Sequence, residues 1–251
     1  MKADFQIANH LILASHITGI YDVNRNTVLP NDDFSIVSTW AKSISALGLQ
    51  GIIFHNNFSE ATCKANENEH IRFIKVDYNS QYNPNVFRYF IYNEFLNLYA
   101  HIIENIFFTD VSDVVVLKNP FQEKVYLDNP NSIFCGDEPE ILANDWMQQH
   151  AQHLRNKITD YTAYETNFKN EVLLNCGIIG GTIAVIRPFV RKLWAIHEKY
   201  NFDNQTLYTG DMGAFNYLIR TQYNHNVVHG NPVNTEFKKY EFSDSCWFKH
   251  K

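Results

Sequence analysis

The chain has 251 residues and a formal net charge of −6 at pH 7. This length suits one large domain or two small ones and is sufficient for an extensive core. The acidic balance excludes nonspecific nucleic-acid binding, which needs a basic surface. The longest apolar stretch, residues 172–186, is broken by Asn175 and three glycines and is too short to span a bilayer.

The cysteines and the first residues bear on the compartment. Four cysteines are scattered through the chain without a Cys-x-x-Cys pair, which predicts reduced thiols rather than a disulfide framework or a zinc site. The first residues lack a basic segment leading into an apolar one, so we expect no signal peptide. We expect a cytoplasmic protein without a transmembrane segment, although association with the inner face of a membrane remains compatible with the sequence.

The first half of the chain alternates predicted strands and helices. Apolar runs predict strands at residues 11–15, 51–54 and 71–76, and helical spacing predicts helices at residues 33–47 and 86–99. This order favours an α/β layered fold with a mostly parallel central sheet. Ligands of such sheets bind outside the carboxyl ends of the strands.

The second half is less regular. We expect a strand at residues 132–135 and a polar helical stretch at 141–164. Residues 173–186 predict a strand, a glycine turn and then either a second strand or the start of a helix. Residues 189–200 and 212–220 show helical spacing. The last thirty residues have no periodicity, and we expect a closing tail.

Residues 108–120 contain the most informative pattern. An apolar run ends at Asp110 and Asp113, a second apolar run covers 114–117, and an Asn-Pro-Phe exit follows. Two carboxylates held between strands suit a hard divalent cation, which can be shared with the phosphates of a ligand. A solvated acidic turn is the alternative, and we favour the metal or phosphate-ligand interpretation.

This stretch resembles the Asp-x-Asp region of GT-A-fold, nucleotide-sugar-dependent glycosyltransferases of bacterial type, here as an Asp-x-x-Asp variant. The likeness continues in order through most of the chain, at residues 16–22, 84–88, 174–181, 210–216 and 247–251. It implies a GT-A-like, Rossmann-like single domain over residues 1–251. Residues 1–120 would form the nucleotide-binding half and residues 121–251 the acceptor side.

The resemblance also implies roles for individual residues. Mn²⁺ or Mg²⁺ would bind Asp113, with Asp110 at the ribose or at the metal. His229, in a His-Gly pair, would be a third metal ligand, although a lone histidine is as often structural. The remaining nucleotide-sugar contacts would come from Ile17, Thr18, Arg88, Asn175, Gly180 and Lys251.

Several of these residues have plainer alternatives. Arg88 suits a diphosphate or Asp110 through its planar fork, but it could equally be an ordinary ion-paired arginine. Asn175 could be a satisfied amide within a β-hairpin. The basic end at 249–251 could be frayed, or it could order over a bound diphosphate behind the two preceding aromatic residues.

Two carboxylates are candidates for the catalytic group. Asp211 precedes a predicted helix and could act near the anomeric carbon or could only cap the helix. Glu138 lies at a predicted strand end. An inverting transferase needs such a carboxylate as general base, whereas a retaining one needs only a positioned acid or amide, so both stereochemical outcomes stay open.

We therefore predict a metal-dependent glycosyltransferase of a polysaccharide-biosynthesis type, which moves a sugar from a nucleoside-diphosphate sugar donor to a glycan or lipid-linked glycan acceptor. A sugar nucleotidyltransferase is one alternative, but it would carry a glycine-rich basic loop after the first strand. A non-catalytic carbohydrate-binding module is another, and it would not need the paired acids.

Overall fold

A computed structural model of the protein describes residues 3–22, 26–200, 210–239 and 243–251. Its strands, in chain order, are β1 (His10–His16), β2 (Tyr21–Asp22), β3 (Thr27–Val28), β4 (Gln50–His55), β5 (Ile71–Lys75), β6 (Asn105–Thr109), β7 (Val114–Val116), β8 (Ile133–Ile141), β9 (Val172–Thr182), β10 (Val227–His229) and β11 (Phe248–His250).

The helices are α1 (Ser35–Ala46), α2 (Glu60–Asn66), α3 (Pro84–Tyr99), α4 (Lys124–Asp128), α5 (Asp145–His150), α6 (Gln152–Arg155), α7 (Tyr161–Phe168), α8 (Ile183–Tyr200) and α9 (Asp211–Gln222). Short 3₁₀ turns occur at Pro120–Gln122 and Asn224–Asn226. No helix among the described residues combines the length and the apolar character needed to cross a bilayer.

Seven strands form the central sheet in the order β10-β8-β9-β6-β1-β4-β5. Strands β6, β1, β4 and β5 are mutually parallel, and β10 is parallel to β8. Strand β9 runs antiparallel to both of its neighbours, β6 and β8. The prediction of an α/β fold with a mostly parallel sheet is therefore confirmed.

Helices cover both faces of the sheet, because alternate side chains of each strand point to opposite faces. In β6, Ile106 and Phe108 join the core beneath α3, α8 and α9, whereas Phe107 joins the core beneath α1. The predicted strands and helices of the first half lie within one or two residues of the observed ones.

For residues 173–186, the predicted strand and the predicted helix start are both observed, but the predicted glycine turn between them was wrong. Strand β9 is continuous for 11 residues, and α8 follows it directly. Gly180 makes no turn there. A Cβ at this position would lie 2.1 Å from the Phe107 ring, so the glycine permits close packing across the sheet.

Two further expectations for the second half need correction. Strand β8 does not end at residue 135 but continues to Ile141 through register shifts, and three short helices, α5 to α7, replace the expected helical stretch at 141–164.

The closing segment is also better ordered than its sequence indicates. Strand β11 pairs antiparallel with β7, and the side chains of Trp247 and Phe248 are fully buried. Deleting residues 247–251 would therefore remove a strand and two core aromatic side chains, and not a loose tail.

Candidate active site

The carboxyl ends of β1, β6 and β8 meet at one edge of the sheet, where a cleft of about 820 Å³ opens. Because β9 is antiparallel to β6 and β8, its first residues lie at the same edge. The backbone N–H of Asp110 donates to the Gly177 carbonyl at 2.8 Å across this edge. A cleft of this size, at the carboxyl ends of parallel strands, has the position and volume of a small-molecule site.

Asp110, Asp113 and His250 form a cluster on the cleft wall. One ligand atom from each residue lies within 4.8 Å of the others. The two acids occupy the turn between β6 and β7, and His250 reaches them because β11 pairs with β7. The backbone N–H of Lys251 also donates to the Asp113 carbonyl at 3.0 Å, which holds the closing segment against the acidic turn.

The absence of a side chain at Gly177 allows this cluster to form. A Cβ there would lie 2.6 Å from His250 Cε1 and 2.7 Å from Asp110 Oδ2. Distances under 3 Å are far inside van der Waals contact, so any larger residue would push the imidazole and the carboxylate apart.

The donor set fits a divalent cation. Burial lowers the pKa of His250 to about 4, so the imidazole is neutral at pH 7 and can offer a lone pair. Its Nδ1 atom is buried and has no hydrogen-bond partner among the described residues. Two carboxylate oxygens suit Mn²⁺ and Mg²⁺, and the added imidazole favours Mn²⁺ of the two.

Arg88 of α3 connects this cluster to the other candidate acid. Its guanidinium donates from Nη1 to Asp110 Oδ1 and from Nη2 to Asp211 Oδ2, the latter at 3.3 Å. Arg88 is 8% exposed and always cationic, so it holds two carboxylates of different elements around one buried charge. Cys176 Sγ lies 3.2 Å from Nη2 as an additional acceptor.

Asp211 is the first residue of α9, and Gly210 occupies the cap position. Its carboxylate accepts from Arg88 and, at 3.6 Å, from the Cys176 thiol. It is 7% exposed and lines the cleft. The side chain therefore does more than occupy the helix end, since it belongs to a polar network that reaches Asp110.

Glu138 and Asn175 face each other across β8 and β9. The Asn175 amide donates to Glu138 Oε1 at 2.7 Å, and its oxygen accepts from the backbone N–H of Gly177 at the same distance. Burial raises the pKa of Glu138, against the opposing effect of this hydrogen bond. Both residues line the cleft.

Of the remaining predicted residues, some line the cleft and one does not. Ile17 and Lys251 line the cleft, whereas Thr18 is not among the described lining residues. The Thr18 backbone N–H donates to Asn56 Oδ1 at 3.0 Å, and its carbonyl accepts from the side chains of Asn56 and Asn57. Thr18 therefore stabilises the loop after β1 and does not face the cleft.

The structure places two predicted residues elsewhere. His229 lies on β10, where its Nδ1 is 2.9 Å from Asp137 Oδ2, and it lies outside the cluster of Asp110 and Asp113. Gly180 lies within the central sheet against Phe107. We therefore replace His229 by His250 as the candidate third ligand, and Gly180 by Gly177 as the glycine at the site.

Sequence reasoning did not identify two aromatic residues of the cleft, Tyr21 and Trp146. They line its rim and are 51% and 44% exposed. Tyr21 falls within the stretch 16–22 that carries the resemblance, but Trp146 stands in no pattern that distinguishes it among the many aromatic residues of this chain. His250 carries a weak signal in the sequence, since it belongs to the basic end of the chain at 249–251.

The fold is that of a GT-A-like α/β protein. The structure is similar to that of the galactosyltransferase LgtC in complex with donor and acceptor sugar analogues, with a TM-score of 0.50 and 14% sequence identity. The match covers 96% of this chain and 86% of that one. No protein-family model and no curated protein sequence matches this chain.

Proposed function

We propose that the protein is a metal-dependent glycosyltransferase, which moves a sugar from a nucleoside-diphosphate sugar to a hydroxyl of a glycan or lipid-linked glycan. The observation that supports this most directly is the cluster of Asp110, Asp113 and His250 on the wall of a large cleft. The fold shared with a galactosyltransferase supports the same class of reaction. Residues 1–120 would hold the nucleotide, and residues 121–251 would form the acceptor side.

The candidate residues of the cleft would have separate roles in this reaction. Asp110, Asp113 and His250 would hold the cation, and Lys251 would contact the diphosphate from the cleft wall. A bound divalent cation would offset the charge of the departing diphosphate. The anomeric C–O bond to the diphosphate breaks, and a bond forms to the acceptor oxygen, whose proton must leave. Asp211 and Glu138 would be the carboxylates that stabilise the positive anomeric centre or accept that proton.

The hydrogen bonds of Arg88 support these separate roles for the metal site and the catalytic carboxylate. Through Arg88, Asp211 is fixed relative to Asp110. The acceptor-side carboxylate and the metal site are thereby held at a constant separation, which is what positioning two reactants requires.

We place the activity in the cytoplasm, because the four cysteines are free.

The experiment is a panel of nucleoside-diphosphate sugars tested with Mn²⁺, with Mg²⁺ and with a chelator. Hydrolysis of the donor and the shift in melting temperature are both measured. A donor that stabilises the protein only with metal, and that is slowly hydrolysed, is the expected result. No metal-dependent stabilisation by any nucleotide would overturn the proposal. The anomeric configuration of a transferred sugar, read by NMR, then distinguishes retention from inversion.

Replacing His250 is expected to weaken Mn²⁺ binding by about tenfold or more, because one of three donors is lost. His250→Gln keeps a polar group in the buried site and limits the loss of packing. Metal affinity is measured by calorimetry, with His229→Gln as the matched control. Equal losses in both variants, or none in His250→Gln, would refute the assignment of His250.

Replacing Lys251 by alanine is expected to weaken donor binding by about tenfold or more, since a hydrogen bond from a charged group to phosphate contributes about 1.5–3 kcal/mol. Lys249→Ala is the control, because Lys249 lies on β11, two residues before Lys251, but is not among the described residues of the cleft. Donor titration followed by calorimetry measures both. If the two variants bind equally well, Lys251 does not contact the diphosphate.

A further inference from the structure

Trp146 differs from the other tryptophans of this chain in its exposure. Trp40, Trp194 and Trp247 are buried, with at most 8% of their surface exposed, whereas Trp146 is 44% exposed. It lies on α5 at the rim of the cleft. Surface that stays exposed gains nothing from folding, so this part of the Trp146 ring is available for contact with a ligand in the cleft.

The ring of His150 covers one face of the Trp146 ring and holds it in place. The Trp146 and His150 rings stack with centroids 3.6 Å apart at an angle of 24°. His150 Nδ1 lies 2.9 Å from the Trp146 carbonyl oxygen, which fixes the imidazole relative to the same helical turn. Burial lowers the pKa of His150, so the stacking partner is uncharged at neutral pH. One ring face is therefore covered, and the exposed remainder of a rigid ring borders the cleft.

The surroundings of Trp146 carry negative charge. Glu140 and Asp145 line the same cleft and are exposed, and Glu138, which also lines it, is half-buried. Lys238 partly offsets the charge of Glu138. Among the described residues, the whole cleft is lined by six carboxylates and three cations, and two of the cations, Arg88 and Lys251, lie with the Asp110 and Asp113 cluster. This rim is therefore unfavourable for an anion.

The rim is also close to the candidate catalytic acid. His150 is near enough to Asp211 for the two to interact electrostatically. Helix α5 packs against α9, which begins with Asp211. A ring stacked on Trp146 would thus lie on the Asp211 side of the cleft, on the acceptor half of the chain.

We propose that Trp146, backed by His150, is the platform on which an uncharged sugar ring of the acceptor stacks, and that Glu140 and Asp145 select against anionic acceptors. The inference rests on the proposed function and assigns the acceptor class at that site. A pyranose ring presents a flat face of C–H groups that matches the face of an indole, and its hydroxyls can donate hydrogen bonds to the neighbouring carboxylates.

The first experiment needs no donor. Because Trp146 is the exposed tryptophan, quenching of tryptophan fluorescence by acrylamide reports mainly on it. Maltose, cellobiose, lactose and chitobiose are the probes, and we expect at least one of them to protect Trp146 from quenching. Sialyllactose should protect less than lactose at low salt, and the difference should narrow as salt screens the acidic rim. If none of the four sugars protects Trp146, the proposed platform is wrong. If lactose and sialyllactose protect equally at low salt, the proposed selection against anionic acceptors is wrong.

The second experiment uses variants and the probe that protects best. Trp146→Ala should raise the KM for this acceptor by about tenfold, which corresponds to about 1.4 kcal/mol, and should leave metal-dependent nucleotide binding and donor hydrolysis unchanged. Trp146→Phe should restore most of the lost affinity. Leu127→Ala, which removes another exposed apolar side chain outside the described cleft lining, is the control.

The outcomes separate the two proposals. If Trp146→Ala leaves the acceptor KM unchanged and binds nucleotide normally, the proposed role of Trp146 is refuted and the proposed glycosyltransferase activity is not. If neither the unaltered protein nor any variant binds a nucleotide, the proposed function is refuted. The quenching experiment would still show whether Trp146 binds a sugar.

Discussion

Asp113→Asn is expected to reduce nucleoside-diphosphate binding with Mn²⁺ to the level measured without metal. Asparagine keeps the size of the side chain but removes the negative charge, and an uncharged amide is a much weaker ligand for a hard divalent cation. Asp110→Asn should weaken binding less, because the charge of Asp110 is already shared with Arg88. Calorimetric titration of nucleoside diphosphate with Mn²⁺ and with a chelator measures both effects.

The matched control for Asp113 is Asp137→Asn. Asp137 is paired with His229 on the neighbouring part of the sheet and is not among the described residues that line the cleft. Its replacement changes the net charge by the same amount, so it corrects for long-range electrostatics. Unchanged affinity in a folded Asp113→Asn protein would show that the metal is held elsewhere or is not used.

Asp211→Asn is expected to lower kcat by about 10²-fold or more while donor affinity stays close to that of the unaltered protein. The asparagine oxygen can still accept from Arg88 Nη2, so the network that positions Asp110 should survive. What is lost is the negative charge beside the reacting centre, and an interaction made mainly in the transition state affects kcat rather than ground-state binding. Initial rates at saturating donor, together with donor titration, separate the two quantities.

Glu138→Gln is the parallel variant for this test. Glutamine can keep the hydrogen bond from Asn175, so folding should be little affected. If only Glu138→Gln loses activity, the catalytic role belongs to Glu138 and not to Asp211. A lowered melting temperature in Asp211→Asn, with its activity restored on cooling, would instead indicate that Asp211 is structural.

Local pattern was sufficient for the strands and the two long helices of the first half of the chain, and the physical reason is periodicity. Strands β1, β4, β5 and β6 are short apolar runs bounded by polar residues, and α1 and α3 have apolar side chains at helical spacing. Each of these features lies within one segment, so no knowledge of distant residues is needed. The two acids after β6 belong to the same class of signal, because they stand within four residues of one another.

Residues 173–186 and 222–251 were harder because their environment is supplied by distant parts of the chain. The glycines of β9 indicate a turn when read alone. In the fold, Gly180 is required by Phe107, more than seventy residues earlier in the sequence. Strand β11 has only three residues and becomes a strand by pairing with β7.

The sequence by itself determined the fold class, the edge of the sheet where ligands should bind, and the pair Asp110 and Asp113. Only the tertiary structure decided that His250 and not His229 joins them, that Gly177 gives them room, and that Arg88 connects them to Asp211. The reason is the antiparallel entry of β9 and the pairing of β11 with β7. These are contacts between segments more than sixty residues apart, and no local pattern encodes the register in which such segments meet.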